Sequence, residues 1–178
     1  MTTAGRQALI PHSRPWITDS DRDAVSAVLA TSMIAEGAQT QRFEAAAAAY
    51  LGHAHGFAAP DGTTALYMAL RALEVGPGDE VVIPTYACEA VRQAVRWAGA
   101  EPVLCDVGED WCVNADTVRH RLSRRTRAVV LVHAFGIVAD AKRVVELGVP
   151  VVEDLAQAFG AASPEGMAGK FCVGRCLC

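Results

Sequence analysis

The sequence predicts an α/β protein, three layers deep in the order α/β/α, around a largely parallel sheet with some mixed pairing. Three observations carry that expectation. From residue 80 onward, strand-like and helix-like segments alternate. The strand-like runs are continuous, as in Val129-Val130-Leu131-Val132, Val81-Val82-Ile83 and Pro150-Val151-Val152, rather than apolar–polar alternations. Such runs mark strands buried on both faces. The segments between them repeat apolar residues at helical spacing, opened by Thr, Asp or Asn and often closed by Gly.

In chain order, Thr18 and Asp21 resemble a capping box without its usual Glu or Gln, and Val25, Val28 and Leu29 follow at helical spacing. This predicts a helix over residues 19–31. After Gly37 breaks the chain, Thr40 can cap a second helix carrying Phe43 and an Ala-rich run to Leu51, stopped by Gly52. Residues 55–59 are short and apolar enough for a strand. Asp61-Gly62 turns into a third helix with Leu66, Ala69, Leu70 and Leu73 on one face, ended by Gly76-Pro77-Gly78. Strands are then expected at 80–83, 102–106, 128–133 and 150–153, with helices at 89–98, 115–122 (capped by Asn114) and 140–147.

With 178 residues, 52% hydrophobic and 20% charged, the chain can bury a core and lacks the polar signature of disorder. A net charge of -4 gives no general attraction for nucleic acid or anionic lipid, so neither is expected as a partner. No apolar run suits a signal peptide or a membrane span, which makes a cytoplasmic location the expectation. Of the six Cys, Cys88, Cys105 and Cys112 lie in or near apolar segments and read as thiols. Cys172, Cys176 and Cys178 crowd the end in a C-x3-C-x-C spacing that matches no common zinc or iron–sulfur pattern, so no metal is expected.

The candidate chemistry lies at strand ends, where open α/β sheets bind ligands. Asp154 follows the Val151-Val152 run, and a buried carboxylate needs a cation, a metal or strong donors. The alternative is a residue that merely caps the next turn. Gly62-Thr63-Thr64 stands where an extended segment passes into a helix, so its amides can meet a phosphate. Here too an ordinary Asp-Gly turn is the competing reading.

The segments Asp61-Gly62-Thr63-Thr64-Ala65-Leu66, Pro84-Thr85-Tyr86-Ala87-Cys88, Val132-His133-Ala134-Phe135-Gly136 and Glu153-Asp154-Leu155-Ala156-Gln157-Ala158 recur here in a telling order. With Glu36-Gly37 and Phe43-Glu44 ahead of them, they resemble the DegT/StrS-type aminotransferases over about residues 10–173. These are fold-type I pyridoxal-phosphate enzymes that act on keto-sugar nucleotides in amino-sugar biosynthesis. The resemblance implies the large domain of such an enzyme, with pyridoxal 5'-phosphate as cofactor. It implies that Gly62, Thr63 and Thr64 hold the cofactor phosphate, that Asp154 faces the ring nitrogen, and that Gln157 donates to the phenolic oxygen. Cys88 takes the place of an aromatic residue that stacks on the ring, so that either Cys88 replaces the stack or Tyr86 moves in. A keto-sugar nucleotide, an amino-acid donor and a homodimer are the implied partners. His133 matches a strand-end motif but is expected to be a hydrogen-bonded core residue, without a chemical role.

Such enzymes bind the cofactor covalently through a Lys, and this chain has two, Lys142 and Lys170. Lys142 reads as solvated surface, and Lys170 precedes the place where the family runs on to its Lys. No catalytic residue is therefore expected within the chain, and the chain alone is expected to be inactive. The expected organisation is a helical segment over 1–52, a partial, truncated cofactor-binding large domain over 53–173, and a divergent Cys-rich tail over 174–178. Two alternatives stay open: a non-catalytic short homologue that binds pyridoxal phosphate or another phosphate ligand, and part of a fold-type I enzyme of dehydration or sulfur transfer.

Overall fold

The structure is a computed structural model that describes residues 14–171 and 174–176. The chain divides into two compact units between Arg42 and Phe43. The first unit contains α1, Asp19–Ala30, opened by a full capping box in which the Thr18 hydroxyl accepts from the Asp21 amide and Asp21 closes back on Thr18. Here Asp does what Glu or Gln usually does. Helix α2, Ala38–Leu51, begins two residues ahead of the expected Thr40 cap.

In the second unit α3, Gly62–Ala72, is capped by Asp61, whose Oδ1 accepts from the Thr64 amide at 2.8 Å. There follow β1, Glu80–Pro84; α4, Glu89–Trp97; β2, Glu101–Cys105; α5, Ala115–Arg119; β3, Thr126–Val132; α6, Ala141–Val145; and β4, Val151–Asp154. A two-residue antiparallel hairpin, β5 (Ala162–Ser163) with β6 (Gly166–Met167), precedes β7, Gly174–Cys176. The main sheet has the order β2-β1-β3-β4-β7, and its described pairings are all parallel.

Strand parity sorts the core into two layers, because successive side chains leave a strand on opposite faces. Val81, Ile83, Val130, Val132 and Val152 pack with Leu66 and Leu70 of α3 and with Val91, Ala94 and Val95 of α4. Val82, Val129, Leu131 and Val151 pack with Val118 of α5 and with Ala141 and Val144 of α6. The continuous Val runs exist for this reason: both faces need apolar residues. Each fully buried Leu or Val contributes about 1.5–3 kcal/mol relative to exposure.

Three expectations need correction. Residues 55–59 form no strand among the described residues, and the Ala58 amide is met by the Glu44 carboxylate at 2.8 Å instead of a ladder partner. Gly56 lies so close to α2 that a Cβ there would stand 2.7 Å from the Glu44 carbonyl oxygen. The helices expected at 115–122 and 140–147 shrink to single turns and a half, since His120 and Glu146 already close them. Finally, residues 174–176, expected outside the family pattern, add a strand beside β4. Parallel pairing there uses main-chain groups, which any residue but Pro supplies. Cys172 and Cys178, two of the three Cys that crowd the end of the chain, lie outside the described residues.

Candidate active site

The expected site residues lie at or just after the carboxyl ends of β1 and β4 and in the first turn of α3. The short connection from Ala72 back to the start of β1 at Glu80 means that α3 runs opposite to the strands, so its first turn lies toward their carboxyl ends. Helix α3 packs against β4 and β7. Parity assigns Asp154, like Val152, to the α3/α4 face, while Glu153, like Val151, turns to the α5/α6 face.

Asp154 is 5% exposed. Its Oδ1 accepts the Ala156 amide at 3.0 Å, and among the described residues Oδ2 meets no donor. Burial raises the Asp154 pKa above the ordinary carboxylate value, opposed by the Ala156 amide and by His133. A buried oxygen left without a partner is rare in folded proteins and marks a place for one. Thr63, half-buried in the first turn of α3, has no described acceptor for its amide or its hydroxyl. Gly62 opens that turn and Thr64 spends its amide on the Asp61 cap.

Gln157 follows on an exposed turn rather than on the helical turn expected for it. Its Oε1 accepts the Phe135 amide at 2.7 Å. Phe135 sits after β3 with φ 55° and ψ 23°, the left-handed region. Its ring joins Tyr86 and Trp111 in a cluster with centroid separations of 6.0 Å to Tyr86 and 6.4 Å to Trp111, and Tyr86 and Trp111 are 5.1 Å apart. Tyr86 is thus engaged with other aromatics. Cys88 is exposed at the N-cap of α4 and makes no side-chain cap.

His133 and Glu153, by contrast, are fully buried. The Ala139 amide donates to His133 Nδ1 at 3.0 Å, which leaves the ring proton on Nε2, directed at Glu153 Oε2 at 3.1 Å. The Gly169 amide also donates to Oε2, at 2.8 Å, and the Phe171 amide to Oε1, at 3.3 Å. His133 is the core residue expected. Glu153 was the less legible neighbour: its partners lie 16 to 20 residues away in sequence, and no local pattern announces them. The aromatic cluster was equally hidden, since its members come from three separate loops.

Lys142 and Lys170 are both exposed. No group of three or more His, Cys, Asp or Glu side chains able to hold a metal occurs among the described residues. No described helix is long and apolar enough to cross a membrane.

A parallel sheet with helices on both faces is the arrangement this chain shares with fold-type I aminotransferases. The chain belongs to the DegT/DnrJ/EryC1/StrS aminotransferase family, whose model matches residues 15–177. Members of this family depend on pyridoxal phosphate. Over 130 residues the chain is 42% identical to the UDP-N-acetyl-3-dehydro-alpha-D-glucosamine 3-aminotransferase of Acidithiobacillus ferrooxidans, covering 70% of this chain and 35% of that relative. It is similar to the aminotransferase from Psychrobacter cryohalolentis, with 32% identity, a TM-score of 0.82, and coverage of 89% of this chain and 42% of that one. It also resembles the PLP form of Spr1654 from Streptococcus pneumoniae, with 27% identity, a TM-score of 0.86, and coverage of 92% and 47%. The chain therefore spans less than half the length of these relatives.

Proposed function

We propose that this chain supplies the phosphate- and ring-binding part of a pyridoxal-phosphate-dependent aminotransferase that acts on a keto-sugar nucleotide, with an amino acid as nitrogen donor. The observation that carries the reading is Asp154 Oδ2, buried and without a donor among the described residues. A protonated pyridine nitrogen is the partner that this oxygen lacks. The sugar-nucleotide class is supported by the relative whose name specifies a UDP-sugar substrate.

When bound, pyridoxal phosphate supplies a conjugated ring that accepts the electron pair left as a substrate carbon loses its proton. The residues of this chain prepare that ring. Asp154 holds a proton on the ring nitrogen by favouring its charged form, an interaction strengthened by burial. Thr63 would hold the phosphate through its amide and hydroxyl, to which the positive end of the α3 dipole would add. Gln157 donates from Nε2 to the phenolic oxygen. Cys88 offers a small polarizable contact in the place of a stacking ring. The same reading makes the enzyme a homodimer, as the resemblance implies, places it in the cytoplasm, and leaves the covalent anchor to a Lys other than Lys142 and Lys170.

Equilibrium dialysis of pyridoxal phosphate against the chain tests this reading. Reversible binding is expected, weakened roughly fivefold by Thr63→Ala, the equivalent of one ordinary hydrogen bond. Asp154→Asn should weaken it by more, since a charged partner is lost. Borohydride reduction followed by mass spectrometry should give no stoichiometric adduct on either Lys. Binding that ignores both substitutions, or a stoichiometric adduct on Lys170, would overturn the assignment.

A further inference from the structure

Among the described residues, Phe135 is one of four other than Gly with positive φ, and Trp111, its ring partner, is another. A bulky residue in that region is rare and persists only where its surroundings enforce it. Burial does not explain it here, because Phe135 remains 60% exposed. What the conformation achieves is a main-chain contact: the Phe135 amide reaches Gln157 Oε1 at 2.7 Å. The turn is fixed on both sides, by the His133 amide to the Asp154 carbonyl at 3.2 Å and by the Ile137 amide to the Ala134 carbonyl at 2.9 Å.

The two ends of a Gln amide are alike in shape and are told apart by their partners. A main-chain N–H can only donate, so the end facing Phe135 is the oxygen, and Nε2 is turned the other way as a donor. We propose that Phe135 is a positioning residue whose left-handed main chain, held by the hydrogen bonds on either side of it, fixes the Gln157 amide with its NH2 group outward. This rests on the reading that Gln157 Nε2 serves the phenolic oxygen of pyridoxal phosphate, and it assigns the strain after β3 to that task.

The test separates main chain from ring. Gly adopts the left-handed region freely, whereas β-branched Val resists it. In the 178-residue chain, Phe135→Gly should bind pyridoxal phosphate within about twofold of the wild type, and Phe135→Val should bind about fivefold more weakly, one hydrogen bond's worth. With 3-deoxypyridoxal phosphate, which lacks the phenolic oxygen, all three proteins should bind alike. A purely structural role would weaken both ligands together. Equal loss in Gly and Val, which would make the ring itself the contact, overturns the proposal, as does no loss in either.

A second measurement needs no cofactor. The residue-135 amide should be protected from hydrogen exchange in the wild type and in Phe135→Gly, and should lose that protection in Gln157→Leu. Protection that is indifferent to Gln157→Leu overturns the proposal. If the wild type binds no pyridoxal phosphate at all, the functional reading fails, and the exchange result still decides whether Phe135 holds Gln157.

Discussion

Glu153→Gln is nearly isosteric and yet should be costly. Oε2 receives the Gly169 amide and the His133 Nε2–H, and Oε1 receives the Phe171 amide, in a fully buried setting. A Gln side chain has one acceptor oxygen. If that oxygen stays with Gly169 and His133, the NH2 group faces the Phe171 amide, donor against donor. Losing one hydrogen bond to a charged acceptor costs about 1.5–3 kcal/mol, and the two that remain weaken when the charge goes. The sum is about 3–4 kcal/mol, a large part of the total stability of an ordinary domain. With an m-value of about 1.5–2 kcal/mol/M, the urea midpoint should fall by about 2 M. Circular dichroism followed through a urea titration measures it. A fall of less than about 0.3 M would mean that the Glu153 charge holds nothing together, and the buried-network argument would be wrong.

Asp154→Asn should raise the thermal midpoint of the ligand-free chain near neutral pH while weakening cofactor binding. The sign follows from the raised pKa of Asp154: its acid form is favoured by the fold, so its contribution is most favourable below the unfolded value near 3.8 and declines as pH rises toward the folded one. Melting curves across pH should therefore show wild type and variant alike in acid and diverging upward. Leu70→Ala, at a side chain with no exposure, should cost about 2–5 kcal/mol in urea, whereas Val25→Ala, 61% exposed on α1, should change stability by less than about 0.5 kcal/mol. Asn114→Ala removes the acceptor of the Asp116 and Thr117 amides and should cost about 1 kcal/mol by the same assay.

The parallel sheet was legible because burial on two faces forces runs such as Val129–Val132, and the helix starts at Thr18, Asp61 and Asn114 were legible because capping is local chemistry. What escaped was non-local. Residues 55–59 have the composition of a strand, but a strand is defined by a ladder partner, which composition does not supply. Gly-Arg-Cys at 174–176 reads as nothing in particular and still pairs with β4 through its main chain. At Phe135, the residue in the left-handed region precedes the Gly that would advertise it. Gln157 was singled out through its place in a motif, yet which end of its amide points outward follows only from a contact 22 residues distant.

The last two residues of β4 also act as a key for folding. A strand shifted by one residue against β3 exchanges the faces of all its side chains. The apolar pair Val151 and Val152 would tolerate such a slip almost without penalty, since both layers want Val. Glu153 and Asp154 would not: the longer acid would leave the Gly169 and Phe171 amides and enter the apolar α3/α4 layer, and the shorter one would turn to those amides a methylene short of them. Two adjacent acids of different length thus make a single alignment of β4 far more favourable than its neighbours, in a sheet whose repetitive Val runs would otherwise slide.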